Sequence, residues 1–139
     1  MLQKDYILKM IEMAASMIAG ILGRIKKREL KEASLELARA YNNFLREDSS
    51  FFQAIPAEEI TDKLLHDHNY TNGHLEILAE LLNAEGELEL ALGKATGSLL
   101  SFKKSLILFE FIDKELKTYS PDRLAKIDHI RAIIKELES

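Results

Sequence analysis

Apolar side chains recur every three or four residues along most of this chain, the spacing that predicts amphipathic helices. The first series predicts a helix over residues 4–26, with one face formed by Ile7, Met10, Ile11, Ala14, Met17, Ile18, Ile21, Leu22 and Ile25. A second series predicts a helix over residues 29–46, with its buried side formed by Leu30, Ala33, Leu37, Ala40, Tyr41, Phe44 and Leu45. Because the join between them is so short, we expect an antiparallel hairpin over residues 4–46.

The pattern breaks over residues 47–73, where we predict an irregular segment that contains one short helix. Residues 48–50 (Asp-Ser-Ser) interrupt the apolar spacing, and Pro56 is suited to the first turn of a helix over residues 57–67. Residues 68–73 (His-Asn-Tyr-Thr-Asn-Gly) are typical of a loop.

Helical spacing returns after this loop and predicts helices over residues 74–92 and 95–117, so that residues 74–118 form a second hairpin with a turn at Gly93. Residues 106–112 are apolar nearly all round, and we expect them at the centre of the core. Ser120 and Pro121 are suited to begin a final helix over 121–138. The chain is therefore predicted to be one all-α domain over residues 1–139, with about six helices arranged as antiparallel hairpins.

The second hairpin carries small and aromatic residues at a characteristic spacing: Gly86, Gly93, Ser98, Phe102 and Ser105. This pattern is similar to the tetratricopeptide repeat (TPR), in which small residues mark where two helices touch and an aromatic ring fills the space beside them. The first hairpin has a weaker version of the same spacing, at Ala33, Leu37 and Ala40. Three features depart from the repeat: no Trp precedes Gly86, Glu89 stands where an aromatic residue is usual, and Glu110 stands where a proline is usual.

Two further stretches, residues 4–12 (KDYILKMIE) and 81–87 (LLNAEGE), resemble a family of uncharacterised bacterial proteins. That family has a TPR-like core and no assigned activity. The resemblance therefore implies a short helical bundle or solenoid, and it implies no catalytic residue.

Composition supports the helical prediction and removes several kinds of chemistry. The chain has only six Gly and two Pro in 139 residues, which is unlike the turn-rich sequences of all-β folds. It has no cysteine, so disulfides, thiolate nucleophiles and Cys-ligated metals are excluded. The net charge is +4 over residues 1–46, −10 over 47–92 and +2 over 93–139. We expect the acidic middle to be neutralised within the fold or by a second subunit.

The first helix is apolar enough to be weighed as a membrane segment. Lys9 and Glu12 interrupt it, and the uninterrupted apolar run over residues 13–22 is shorter than the roughly 20 residues that span a bilayer. No positively charged flank or cleavage site typical of a signal peptide accompanies the run. We therefore expect a buried helix of a cytoplasmic protein that does not contact a membrane.

The first helix and its end also carry the candidate partner-binding residues. Ser16, Ala19, Gly20 and Gly23 are small, so another helix can approach closely, either within the fold or in a homodimer. The basic residues that follow are candidates for binding an acidic partner: Arg24, Lys26, Lys27 and Arg28. Nucleic acid is not the expected partner, because no aromatic residue interleaves this run for base stacking. A purely structural role, at the negative end of a helix dipole, is the alternative.

Three histidines are the candidate metal ligands: His66, His68 and His74, with Asp62 one helical turn before the first. Their spacing matches no recognised zinc motif, so helix-terminal histidines beside a loop are the other interpretation. The glutamates Glu76, Glu80, Glu85, Glu87 and Glu89 lack the paired histidines of a di-iron bundle, and we expect them on a solvated face.

No motif for a nucleophile, a phosphate-binding loop or a dinucleotide is present in the chain. The sequence therefore predicts a non-enzymatic TPR-like module, without a cofactor, that binds another protein or itself. The alternative is a small metal-binding enzyme or regulator that uses His66, His68 and His74.

Overall fold

A computed structural model describes the backbone of residues 2–139 and the side chains of residues 5–139. Met1, where the predicted domain begins, lies outside the described residues, as does the side chain of Lys4. The described chain is all-helical, which confirms the predicted class, and it forms seven helices. The helices are α1 (Leu2–Lys26), α2 (Leu30–Ala40), α3 (Ser49–Gln53), α4 (Ile60–Asp62), α5 (Asn72–Ala91), α6 (Ala95–Leu116) and α7 (Pro121–Glu138).

Two of these helices continue into a turn of π-helix, and a third irregular turn precedes α4. The π-helical turn Tyr41–Leu45 prolongs α2, so the continuous helical segment ends one residue before its predicted limit at residue 46. The 3₁₀ turn Ala57–Glu59, α4 and the π-helical turn Lys63–Asp67 together occupy the helix predicted over residues 57–67.

Helix α5 lies at the centre of the packing. It packs against α6, against α1 and against α2, while α7 packs mainly against α6. Ten α5 residues are buried, among them every residue from Leu81 to Ala84. The prediction that residues 106–112 form the centre was wrong, because Leu106, Ile107 and Phe111 are only partly buried and Glu110 is exposed. Helix α5 is enclosed because it has neighbours on two sides.

The contact between α5 and α6 uses the small residues that the sequence singles out. A Cβ atom on Gly86 would lie 2.8 Å from the ring of Phe102, so only glycine leaves room for that ring. The Ser98 hydroxyl donates a hydrogen bond of 2.8 Å to the Gly86 carbonyl, and the Ser105 hydroxyl donates one of 2.7 Å to the Ala79 carbonyl. The predicted contact residues of this hairpin are therefore confirmed.

The turn between these two helices depends on a backbone conformation that side chains disfavour. Gly93 has a φ of +80°, and its N–H donates a hydrogen bond of 3.1 Å to the Leu90 carbonyl. The turn therefore requires glycine at position 93, because other residues rarely adopt a positive φ.

The segment between the hairpins is more ordered than its sequence indicates. Helix α3 lies in the stretch that was expected to be irregular, and it buries Phe52 completely. Helix α5 begins two residues before its predicted start because Thr71 and His74 form a capping box: the His74 N–H donates to the Thr71 hydroxyl, and the Thr71 N–H donates to His74 Nδ1.

Helix α7 begins at the predicted Ser120 cap, whose hydroxyl accepts the Arg123 N–H at 3.2 Å. It buries Ile127 and Ile130. Lys126 forms an ion pair with Glu80 of α5, which ties this last helix to the centre of the molecule.

We predict opposite effects of the same substitution at two helical glycines. Gly86→Ala should lower the free energy of unfolding by about 2 kcal/mol, because the added methyl group overpacks against Phe102. Gly20→Ala should raise it by about 1 kcal/mol, because nothing lies within 4 Å of its Cβ position and alanine is the better helix former. Urea denaturation of both variants measures the two changes, and destabilisation by Gly20→Ala would contradict the open space assigned to α1.

Candidate interaction groove

Helix α1 is buried on one face only. Ala14, Ile18, Ile21 and Ile25 are its buried residues, and they pack toward α5 and α2. Tyr6, Leu8 and Met13 are exposed, at 66%, 52% and 58% of their full surface. Helix α1 thus contacts two helices of the fold and still leaves other apolar side chains uncovered within residues 5–139.

The segment Asp5–Lys26 is, by length and composition alone, long and apolar enough to cross a membrane, with a mean hydropathy of 1.5 in its most apolar window. Both a helix of a soluble protein and a signal sequence can meet that test. The cytoplasmic location expected from the sequence stays a prediction.

A groove lies between α1 and the π-helical end of α2. Its volume is about 570 Å³, and its lining consists of Tyr6, Lys9, Met10, Met13, Met17, Asn43 and Phe44. Three methionines and two aromatic rings make its floor apolar, and Lys9 and Asn43 supply polar groups. Concave apolar surfaces with a few polar groups are the usual form of a binding site.

The π-helical turn shapes the α2 side of this groove. Tyr41 and Leu45 are buried and anchor the turn, while Asn43 is exposed and Phe44 half-buried. The Tyr70 hydroxyl donates a hydrogen bond of 2.6 Å to the Leu45 carbonyl, which holds the last residue of the turn in place. The sequence did not predict this turn, and π-helical turns are frequent at functional sites.

A second depression, of about 530 Å³, lies farther along the same hairpin and is lined by Gly20, Gly23, Arg24, Lys27, Glu29 and Glu36. Arg24 Nε lies 2.7 Å from Glu36 Oε1, and a second guanidinium nitrogen of Arg24 lies 3.0 Å from Glu29 Oε1. Glu36 is the main cause of the raised pKa of Arg24. The side chain is therefore held within the hairpin.

The other three basic candidates, Lys26, Lys27 and Arg28, are exposed at the end of α1 and in the turn that follows. Arg28 has a φ of 64° at that turn. The four predicted partner-binding residues thus share one end of the hairpin, with Arg24 occupied by its own neighbours.

The histidine candidates do not assemble a metal site. His68 Nε2 lies 3.0 Å from Glu47 Oε2, and its ring packs against Phe51 and Tyr70. The His74 ring stacks on Tyr70 with centroids 4.9 Å apart, and burial lowers the pKa of His74. His66 is exposed on the surface of the 63–67 turn. Within residues 5–139 no three His, Asp or Glu side chains are placed to hold a metal ion.

The five glutamates expected on a solvated face are each partly buried, so that expectation was wrong. Glu80 and Glu87 contact α7, through Lys126 and through His129 Nε2 at 3.2 Å. Partial burial raises the pKa of Glu76. The sequence does contain a signal for this arrangement, since a basic C-terminal segment follows an acidic middle one.

Glu85 and Glu89 lie beside a polar cluster inside the molecule. Burial, and after it the neighbouring Glu89 carboxylate, raises the pKa of Glu85. Burial beside Glu85 raises the pKa of the Tyr41 hydroxyl well above its ordinary value. Glu89 accepts a hydrogen bond of 2.6 Å from the Ser101 hydroxyl.

Lys104 completes this cluster and fixes α3. Its ammonium group donates to the carbonyls of Phe52 and Gln53, at 3.1 and 2.9 Å, and burial lowers its pKa. These carbonyls belong to the last residues of α3, so a cation from α6 satisfies the negative end of a helix too short to be stable alone.

Comparison with known proteins finds no protein-family model, no curated protein and no solved structure that matches this chain.

Replacing Glu85 by glutamine tests the burial of its carboxylate. The raised pKa means that the folded state binds the proton more tightly than the unfolded chain, whose pKa is near 4.5. Stability is therefore greatest below that pH and falls as the pH rises through the folded pKa. Glu85→Gln removes this loss, so the variant should be more stable than the parent at pH 7 and equal to it near pH 4. Urea unfolding at both pH values measures the difference, and an equal difference at both would contradict the assignment.

Removing the Tyr70 hydroxyl tests the link between the 68–73 segment and the groove. Tyr70→Phe should lower the free energy of unfolding by about 1 kcal/mol, because it leaves the Leu45 carbonyl without its donor. The control is Tyr119→Phe, since Tyr119 is 80% exposed and its replacement should have no effect. Equal stabilities of the two variants in urea would show that the Tyr70 bond contributes nothing.

Proposed function

We propose that this chain is a TPR-like interaction module that binds an apolar helical face of a protein in the groove between α1 and α2. The observation that carries the proposal is the methionine-lined groove of about 570 Å³ on the uncovered side of the first hairpin. The function is binding rather than catalysis, and it needs no cofactor.

The order of packing supports the TPR-like interpretation. The hairpin α1–α2 packs on α5, α5 pairs with α6, and α6 is followed by α7. Stacked hairpins leave an apolar face at each end, and a repeat protein covers such ends with helices whose outer side is polar. Helix α7 has that character, because its exposed residues include Asp122, Asp128 and Lys135. The α1–α2 end has no covering helix within residues 2–139.

The chemistry of the groove favours a helical ligand over a small polar one. Methionine side chains are flexible and polarisable, so Met10, Met13 and Met17 can adapt to differently shaped apolar partners. A groove between two helices accepts an amphipathic helix through residues spaced three, four and seven apart. Lys9 and Asn43, two exposed residues of the groove lining, can bond to polar groups that flank the ligand's apolar face.

A displayed library of helical peptides tests this function and does not require an identified partner. Selection on the parent protein should enrich peptides with apolar residues at i, i+3 or i+4, and i+7. Those peptides should bind Met13→Glu at least about tenfold more weakly, since the variant places a charge in the groove. Leu100→Glu is the matched control, because Leu100 is 50% exposed on α6, and it should bind like the parent. Failure to enrich any peptide whose binding depends on Met13 would refute the proposed function.

A further inference from the structure

We propose that the occupant of this groove is helix α1 of a second copy of the same chain, paired antiparallel about a two-fold axis near residue 15. This inference rests on the proposed function and names its partner. It is carried by the spacing, the shape and the charge of the uncovered face of α1.

The spacing is that of a coiled coil. Tyr6, Met10, Met13, Met17, Gly20 and Arg24 are separated by alternating steps of four and three residues. A mean step of 3.5 residues keeps a stripe of side chains facing a partner helix along its whole length. The first four of these residues line the apolar groove and the last two line the depression beyond it, so the stripe runs the length of the hairpin.

The two halves of the stripe have complementary shapes. The first half carries bulky side chains, whereas Gly20 in the second half, and Gly23 beside the stripe, have nothing within 4 Å of their Cβ positions. An antiparallel pair centred near residue 15 sets Met10 against Gly20 of the second copy, and Met13 against Met17. Met10 then enters the space that is open beside Gly20 in the single chain, and the two-fold axis repeats this contact at the other end.

The distribution of charged residues along α1 favours antiparallel over parallel pairing. The described first half of α1 carries Asp5, Lys9 and Glu12, while its end and the following turn carry Arg24, Lys26, Lys27 and Arg28. A parallel pair would bring the four cations of both copies together. The antiparallel pair separates the two basic ends by the length of the helix, roughly 37 Å for 25 residues. It also places each basic end near Asp5 of the other copy and aligns the helix dipoles favourably.

The same residues favour a helix over a lipid surface. Gly20, Gly23 and Ser16 offer almost no apolar side-chain area for insertion at a lipid surface, whereas a second helix can approach their backbone closely. One helix pair is a small interface, so we expect a dissociation constant on the order of 10 μM.

Sedimentation equilibrium over about 1 to 500 μM protein tests the dimer. The parent should move from 15.8 kDa toward twice that mass, and Met13→Glu should raise the dissociation constant at least about tenfold. Leu100→Glu adds the same charge on α6 and should dimerise like the parent. A parent that stays monomeric throughout, or equal weakening by both variants, would overturn the proposal.

Gly20→Leu separates loss of the interface from loss of the fold. Its side chain projects into open space in the single chain, so the variant should melt at a higher temperature than the parent. The same side chain occupies the space that Met10 of the second copy needs, so the dissociation constant should rise at least about tenfold. Unchanged dimerisation of this variant would refute the α1–α1 contact.

Disulfide crosslinking tests the orientation, which is practical because the chain has no cysteine of its own. In an equimolar mixture of Met10→Cys and Gly20→Cys, the mixed disulfide should exceed the disulfide between two Gly20→Cys chains, because only antiparallel pairing brings positions 10 and 20 within reach of each other. Predominant crosslinking of Gly20→Cys with itself would indicate a parallel pair and overturn the orientation.

Two comparisons separate this inference from the proposed function. If the parent is monomeric while helical peptides selected on it still require Met13, the occupant is another protein and only the present inference fails. If the parent is monomeric and instead binds vesicles of neutral and anionic lipid in a Met13-dependent manner, a lipid surface replaces both protein ligands and both proposals fail.

Discussion

The close approach of α5 and α6 at Gly86 is the contact on which the rest of the structure depends. The missing side chain at Gly86 admits the Phe102 ring, and two serine hydroxyls of α6 bond to carbonyls of α5. With α6 held this closely, the remaining apolar surface of α5 has to be covered from the other side, and the α1–α2 hairpin covers it. Because the α1–α2 hairpin packs one of its faces against α5, its opposite face lies at the end of the stacked helices.

The same packing order accounts for the charges of the middle segment. Because α5 has neighbours on both sides, its glutamates cannot all reach open solvent, and partners from later in the chain meet them. Lys126 pairs with Glu80, and Ser101 donates to Glu89. Lys104, which belongs to the polar cluster around Glu85, donates hydrogen bonds to the last carbonyls of α3 and so holds that helix in place. The excess of acidic residues is thus partly compensated within the fold, which is one of the two alternatives expected from the sequence.

Helices and hairpins were predictable where a long run of apolar spacing is bounded by a short turn, as at residues 27–29 and at Gly93. Helix α3 was not, because five residues are too few for periodicity to be visible and its stability comes from the burial of Phe52 and from Lys104 on α6. The roles of His68 and His74 were not predictable either, since both depend on Tyr70 lying between their rings. The stripe beginning at Tyr6 and ending at Arg24 is visible as a heptad spacing, but only the fold shows that it lies beside the buried face.

Gly20 and Gly23 are the residues of the uncovered face that favour contact with a second helix. Each glycine within a helix costs about 1 kcal/mol relative to alanine, and at most positions close packing recovers that cost, as it does at Gly86. In the single chain nothing lies within 4 Å of the Cβ position of either Gly20 or Gly23, so packing within the fold does not require the absence of a side chain there. A helix backbone pressed against α1 is the kind of contact that uses both, and the bulky first half of α1 itself has the side chains that fill the space they leave.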